Sequence, residues 1–192
     1  MGKLAIVFPG IGYTPDKPLL HYARRLAAEQ GYGILPISYT GFPRNILGDR
    51  EKMAESYRLA RTQAEAQLAD VDFSACDDLL LIGKSIGTIL AARLASRLPA
   101  DVRVRQVLYT PMEDTFRYSP ENAIVFTGTA DPWVGGAESR IPALCRERHI
   151  PCFVIPGANH SLECGDVLRD IHNLLEVMEE TRRFLCGGEE TA

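Results

Sequence analysis

The chain has 192 residues and a net charge of −4, with 46% hydrophobic and 24% charged residues. These values are ordinary for a globular protein and allow one domain with a sizeable core that needs no disulfide or metal. The acidic balance and the scattered basic residues argue against a nucleic-acid partner. We expect one domain over residues 1–186 and a flexible tail, GGEETA, over residues 187–192.

Five cysteines are spread along the chain without a C-x-x-C pair: Cys76, Cys145, Cys152, Cys164 and Cys186. An odd number of widely spaced cysteines is typical of reduced thiols rather than of a disulfide framework or a zinc site. The start MGKLAIVFPG lacks a signal-peptide pattern, and no apolar run reaches the ~20 residues of a membrane span. We therefore expect a cytoplasmic protein with no membrane span, metal or cofactor.

Short apolar runs alternate with helical patterns along the chain. Strands are predicted for Leu4–Phe8, Ile34–Tyr39, Leu79–Ile82, Val104–Tyr109, Ile124–Thr127 and Cys152–Ile155. Helices are predicted for Pro18–Gln30, Gly48–Ala69, Ile86–Leu98, Ile141–Arg148 and Val167–Phe184. This alternation predicts an α/β fold, a three-layer α/β/α sandwich around a mostly parallel sheet. Ligands of such sheets bind beyond the carboxyl ends of the strands.

The third predicted strand leads into Gly83-Lys84-Ser85-Ile86-Gly87, a stretch that is open to different interpretations. A P-loop requires a glycine five residues before Gly83, but Asp78 stands there and a hydrophobic strand fills the space between. The pattern G-x-S-x-G is typical of a nucleophilic serine on a tight strand-to-helix turn, where small flanking residues let the backbones pass closely. The plainer alternative is that Ser85 only caps the next helix.

A serine hydroxyl is a weak nucleophile unless an imidazole takes its proton and a carboxylate orients that imidazole. His21 and His172 fall in predicted helices and His149 follows the charged end of another, so we expect surface or packing roles for them. His160 lies in the loop GANHSLE after the sixth strand, and Asp131 lies in the turn TGTADPWV after the fifth. Serine, acid and histidine thus follow strand ends in that order.

The order serine, acid, histidine on an alternation of strands and helices resembles the α/β-hydrolase superfamily. The resemblance covers nearly the whole chain. GKSIG is similar to the nucleophile elbow of that superfamily, ADP to its acid turn and NHSLE to its histidine loop. The resemblance implies that Ser85 attacks the substrate and that His160 is general base and then general acid. Asp131 would fix the imidazole tautomer. Glu113 and Asp114 are alternative candidates for the acid.

The resemblance also implies an oxyanion hole, in which backbone N–H groups stabilise the negative charge of the transition state. One expected donor is the N–H of Ile86, at a helix N-terminus. The second is expected in FPGIGYTPDKP, which is similar to the H-G-x-G loop of the superfamily with Pro9 in the histidine position. Ile11 is the preferred donor there and Gly10 the alternative. The other interpretation is that Gly10 and Gly12 only make a tight turn.

Weaker candidates for substrate contacts surround these loops: Tyr13, Asp16, Lys17, Lys84, Met112, Phe116, Tyr118 and Trp133. For the first three, a solvated loop is favoured over contact with a polar group of the substrate. Lys84 beside the serine favours an anionic substrate if it points into the pocket, but this position often points away. The aromatic residues and the methionine are as compatible with core or rim packing as with an acyl pocket.

Many α/β-hydrolases carry an extra strand pair at the start and a lid before the acid, but here only the segment Pro111–Asn122 stands where a lid would be. We predict a minimal six-stranded fold of order 2-1-3-4-5-6 with a shallow, open site. The predicted function is a serine hydrolase that cleaves a carboxylic ester or thioester of a small-molecule or acylated substrate. The alternative is a catalytically silent protein of this fold that binds a small molecule or partner.

Overall fold

The computed structural model describes residues 2–187, which form a sheet covered by helices. The strands are β1 (Gly2–Phe8), β2 (Gly33–Pro36), β3 (Cys76–Lys84), β4 (Arg103–Tyr109), β5 (Ala123–Gly128) and β6 (Cys152–Ile155). The helices are α1 (Pro18–Glu29), α2 (Arg50–Gln67), α3 (Ile86–Ala95), α4 (Ile141–Glu147) and α5 (Val167–Leu185). All strand pairs are parallel, in the order β2-β1-β3-β4-β5-β6. The predicted fold class and strand order are confirmed.

Strand β3 explains why the sheet needs helices on both sides. Leu79 and Leu81 belong to one hydrophobic core, whereas Leu80 and Ile82 belong to the other, and all four are fully buried. Successive side chains of a strand point to opposite faces, so an uninterrupted apolar run must be covered twice. Residues of α2, α3 and α4 complete the first core, and residues of α1 and α5 complete the second.

The predicted extension of the second strand to Tyr39 is wrong, because β2 ends at Pro36. The N–H of Ile37 still donates to Val7 O of β1 over 2.9 Å, but the next residue bonds to helix α2 instead of to that strand. The N–H of Ser38 donates to Gln67 Oε1 of α2 over 3.1 Å. Side-chain acceptors that compete with the strand ladder are invisible to a pattern of apolar residues.

Residues 188–192 of the predicted tail lie outside the described part of the chain. Among residues 2–187, no helix combines the length and the apolar character needed to cross a membrane. The five cysteines are free thiols. The single domain over residues 1–186 stays a prediction, and a single sheet shared by both cores agrees with it. The cytoplasmic location also stays a prediction.

Candidate active site

Ser85 occupies the turn between β3 and α3 in a conformation that residues other than glycine seldom adopt, with φ 57° and ψ −124°. The two flanking glycines are required by close contacts. A Cβ on Gly83 would lie 2.8 Å from Thr88 Cα, and a Cβ on Gly87 would lie 2.1 Å from Phe8 O. The tight turn therefore explains both glycines of the G-x-S-x-G pattern, and it holds the Ser85 side chain beyond the end of the sheet.

A chain of hydrogen bonds joins Ser85, His160 and Asp131. Ser85 Oγ lies 2.8 Å from His160 Nε2, and His160 Nδ1 lies 2.7 Å from Asp131 Oδ2. Since a carboxylate only accepts, Nδ1 carries the proton and donates to Asp131, which leaves Nε2 to accept from the Ser85 hydroxyl. The Ser85 side chain makes no capping bond to α3. The structure thus brings together three residues that the sequence analysis selected from separate strand ends.

The carboxylate of Asp131 is held in place from both sides. Asp131 is fully buried, and its Oδ1 accepts a hydrogen bond of 3.0 Å from the backbone N–H of Trp133. The alternative acids Glu113 and Asp114 instead form ion pairs with arginines at the surface. Of the three candidate acids, Asp131 is the one that is hydrogen-bonded to the imidazole.

Two residues that the sequence analysis did not single out shape the histidine loop. Asn159 Oδ1 accepts hydrogen bonds from the N–H groups of Ser161 and Glu163, at 2.7 and 3.2 Å. A Cβ on Gly128, the last residue of β5, would lie 2.1 Å from Ala158 O. The loop can pass the strand end only because residue 128 is glycine. Two features of the sequence could have identified these residues: an asparagine stands directly before the histidine, and a glycine stands at the end of the fifth strand.

The surroundings of His160 keep its imidazole neutral at neutral pH. Burial lowers the pKa of His160 below its ordinary value of 6.5, the hydrogen bond to Asp131 opposes this, and the positive charge of Lys84 adds to the lowering. The Trp133 ring lies beside the His160 ring, with 5.4 Å between the two ring centroids. A neutral imidazole is the form that can take a proton.

The predicted oxyanion donors lie next to Ser85. Ile86 is the first residue of α3, and the first N–H groups of a helix have no partner within it. Gly10 and Tyr13 close a tight turn through a 3.3 Å hydrogen bond, and Ile11 within this turn lines the same cavity as Ser85. A Cβ on Gly10 would lie 3.2 Å from Ser85 Cβ, so this residue contacts the elbow closely. Their role as donors stays a prediction.

A cavity of about 760 Å³ opens beside Ser85 and His160. Six of the weaker candidates line it: Tyr13, Lys17, Lys84, Met112, Tyr118 and Trp133. Phe116 is instead buried in the core, and Asp16 forms a surface ion pair of 2.6 Å with Arg24. Within residues 2–187, no cluster of three His, Cys, Asp or Glu side chains is arranged to hold a metal ion.

The prediction of a shallow site is wrong, because helix α2 forms a wall of the cavity. The wall consists of one side of the helix: Arg50, Met53, Ala54, Tyr57 and Arg58. The sequence predicts a helix over Gly48–Ala69, and in its second half Ala60 and Ala64 pack in the core. The residues on one side of the first half of this helix line the cavity instead. Helical spacing identifies the buried side of a helix but not whether a core or a cavity lies against it.

Solved structures show which class of fold this is, whereas no family model and no curated protein matches the sequence. A protein of unknown function from Agrobacterium tumefaciens, assigned to the α/β hydrolases, is 18% identical with a TM-score of 0.63, over 97% of this chain and 87% of that one. A serine hydrolase without a lid from Xanthomonas campestris is 17% identical with a TM-score of 0.61, over 98% and 84%. An esterase from Pyrococcus furiosus is 15% identical with a TM-score of 0.63, over 96% and 83%.

At sequence identities of 15–18%, the likeness to these solved structures shows the fold alone. The chain has the α/β-hydrolase fold in the form without a large lid. Its activity must be argued from the site itself, because one fold supports many functions.

Proposed function

We propose that this protein is a serine hydrolase that cleaves a carboxylic ester or thioester through an acyl-Ser85 intermediate. The observation that carries the proposal is the hydrogen-bonded chain from Ser85 Oγ through His160 to the buried carboxylate of Asp131. A strained serine, a neutral imidazole and a fixed carboxylate are the parts that nucleophilic acyl transfer requires. The likeness to hydrolases and esterases of the same fold supports the proposal.

In the proposed reaction, Ser85 Oγ attacks the carbonyl carbon while its proton passes to His160 Nε2. Negative charge develops on the carbonyl oxygen, where the N–H groups of Ile86 and Ile11 are the proposed donors. The tetrahedral intermediate breaks the bond to the leaving oxygen or sulfur, which takes the proton from His160. Water then attacks the acyl-Ser85 ester while its proton passes to His160. The bond between the acyl carbon and Ser85 Oγ breaks, His160 returns the proton to Oγ, and the carboxylic acid leaves. Asp131 stabilises the imidazolium in both halves of the reaction.

A catalytically silent binding protein is the rival function. A binding site gains nothing from a serine with φ 57°, and such backbone strain is maintained where it serves chemistry. The two glycines permit the turn that places Ser85 against His160, and the buried acid is hydrogen-bonded to that histidine. These features favour the hydrolase over the rival.

The proposal is tested by turnover of p-nitrophenyl esters and of acyl thioesters, each uncharged or with a terminal carboxylate, with acyl chains of increasing length. Wild-type protein is expected to hydrolyse at least one series, and the comparison of the two leaving atoms decides between ester and thioester. A folded protein that turns over neither series would refute the proposal.

The pH dependence of turnover follows from the neutral His160. The base must be unprotonated, so kcat/KM for an uncharged ester falls as the pH falls through the pKa of His160. Because this pKa lies below 6.5, we expect the acid limb of the profile to have its midpoint below pH 6.5. The measurement is kcat/KM between pH 4.5 and pH 9. A midpoint clearly above 6.5 would contradict the described surroundings of the imidazole.

A further inference from the structure

Lys84 is a buried lysine whose ammonium group the proposed reaction does not use. The side chain is 3% exposed, although it belongs to the turn that carries the nucleophile. Its stem runs under the loop after β1, where a Cβ on Gly10 would lie 3.0 Å from Lys84 Cδ. Its Nζ lies 4.9 Å from the centre of the Tyr13 ring, and both residues line the cavity beside Ser85. The amine is therefore held inside the site.

The Lys84 ammonium group lacks an anionic partner. Across residues 2–187, no acceptor hydrogen-bonds to Nζ and no carboxylate lies within ion-pair distance of it. The nearby carboxylate of Asp131 is occupied by His160 and by the N–H of Trp133. A buried charge is normally paired, because removing it from water has a large energetic cost. The contact with the Tyr13 ring offsets only a part of that cost.

The wall formed by α2 adds further positive charge to the same cavity. Arg50 and Arg58 lie on one side of the helix, eight residues apart, and both line the cavity. Neither makes an ion pair within the described part of the chain. One turn farther along, in contrast, Arg61 is paired with Glu65. The basic residues that line the cavity are Lys17, Arg50, Arg58, Lys84 and Arg117, and the single acid in the lining, Asp114, is paired with Arg117.

We propose that the cavity binds an ester or thioester that carries an anionic group, a carboxylate or a phosphate. Lys84 Nζ contacts this group inside the cavity, and Arg50 and Arg58 attract it from the α2 wall. The proposal rests on the proposed hydrolase function and names its substrate class. It gives the buried amine the partner that the protein does not supply, and it explains cationic lining in a chain whose net charge is −4.

The recognition of the anion depends on pH in a direction that the surroundings of Lys84 define. Burial lowers the pKa of Lys84 to about 7, and Lys17 adds to the lowering, whereas Asp131 and Glu163 oppose it. The groups that act on the amine come from the loops after β1, β5 and β6: Tyr13, Lys17, Asp131, His160 and Glu163. Arg50 and Arg58 line the same cavity from α2. The ammonium form prevails below pH 7, so the preference for an anionic substrate weakens as the pH rises above 7.

The test compares kcat/KM for the p-nitrophenyl monoester of adipic acid with kcat/KM for p-nitrophenyl heptanoate, which has a similar length and no charge. Wild type is expected to prefer the charged ester at pH 6. Lys84→Met is expected to lower the ratio of the two kcat/KM values, charged over uncharged ester, by about 10- to 100-fold. The reason is the loss of the hydrogen bond between Lys84 Nζ and the anionic group. The matched control Lys3→Met, at the start of β1, is expected to keep the wild-type ratio. The same ratio in Lys84→Met and wild type would overturn the proposal.

A second measurement tests the proposal independently of turnover. Inorganic phosphate and glutarate, at millimolar concentration and pH 6, are expected to raise the melting temperature of wild type more than that of Lys84→Met. A shift with glutarate alone identifies a carboxylate as the ligand, and a shift with phosphate alone identifies a phosphate. Equal shifts in both proteins would overturn the proposal. If wild type hydrolyses neither these esters nor the acyl thioesters but shows the Lys84-dependent shift, the hydrolase function fails and the anion site stands.

Discussion

Replacement of Ser85 by alanine is expected to lower kcat for ester hydrolysis by about 10⁵- to 10⁶-fold, with little change in stability. The hydroxyl is the proposed nucleophile, and no other group in the described site is hydrogen-bonded to His160 Nε2. The residual rate would come from the oxyanion donors and the cavity, which the substitution leaves in place. Steady-state kinetics with the best ester of the panel measures the effect.

The matched control is Ser96→Ala at the other end of the same helix. Ser96 caps α3, and its Oγ donates to Arg93 O over 3.0 Å, far from the cavity. We expect this variant to retain wild-type kcat. If Ser85→Ala retained more than a few per cent of the activity while remaining folded, the nucleophile would be a different residue.

Asp131→Asn is expected to lower kcat by about 10⁴-fold while the fold stays intact, because the two side chains have nearly the same shape. The amide of an asparagine can donate to His160 Nδ1, which favours the tautomer with the proton on Nε2. That tautomer cannot take the proton of Ser85. The decrease should appear in kcat at every pH at which the wild type is active, and the melting temperature reports on the fold.

Glu113→Gln serves as the control for Asp131→Asn, and it also tests the competing assignment of the acid. Glu113 is exposed, and it lies 3.4 Å from an Arg140 nitrogen rather than against the imidazole. Its replacement should leave kcat unchanged. A large loss in Glu113→Gln with a normal rate in Asp131→Asn would transfer the role of the acid to Glu113.

The fold and the residues around the nucleophile were predictable because the signals for both are local. Each buried strand is an uninterrupted apolar run, as in Leu79–Ile82, and a parallel sheet brings the carboxyl ends of such runs to one edge. Ser85, Asp131 and His160 each follow a strand end directly. Little can therefore move them away from that edge, and the structure joins them by hydrogen bonds of 2.7 and 2.8 Å.

The cavity was not predictable to the same extent, because its shape depends on how distant segments pack. Met53 and Tyr57 repeat at the same helical spacing as Ala60, and the sequence does not tell which of them face a core. The direction of Lys84 was open for a similar reason. It depends on the turn at Ser85 and on how closely the loop with Gly10 approaches, and neither is encoded within a few residues.

The most direct test of the hydrolase assignment is the intact mass of the protein after exposure to a fluorophosphonate, with Ser85→Ala and His160→Ala treated in parallel. A fluorophosphonate reacts with a serine that a neighbouring base has activated. We predict a single adduct on wild type, no adduct on Ser85→Ala, and much slower formation of the adduct on His160→Ala. An unmodified wild-type protein that is fully folded, or an adduct that persists in Ser85→Ala, would contradict the assignment of Ser85 as the nucleophile.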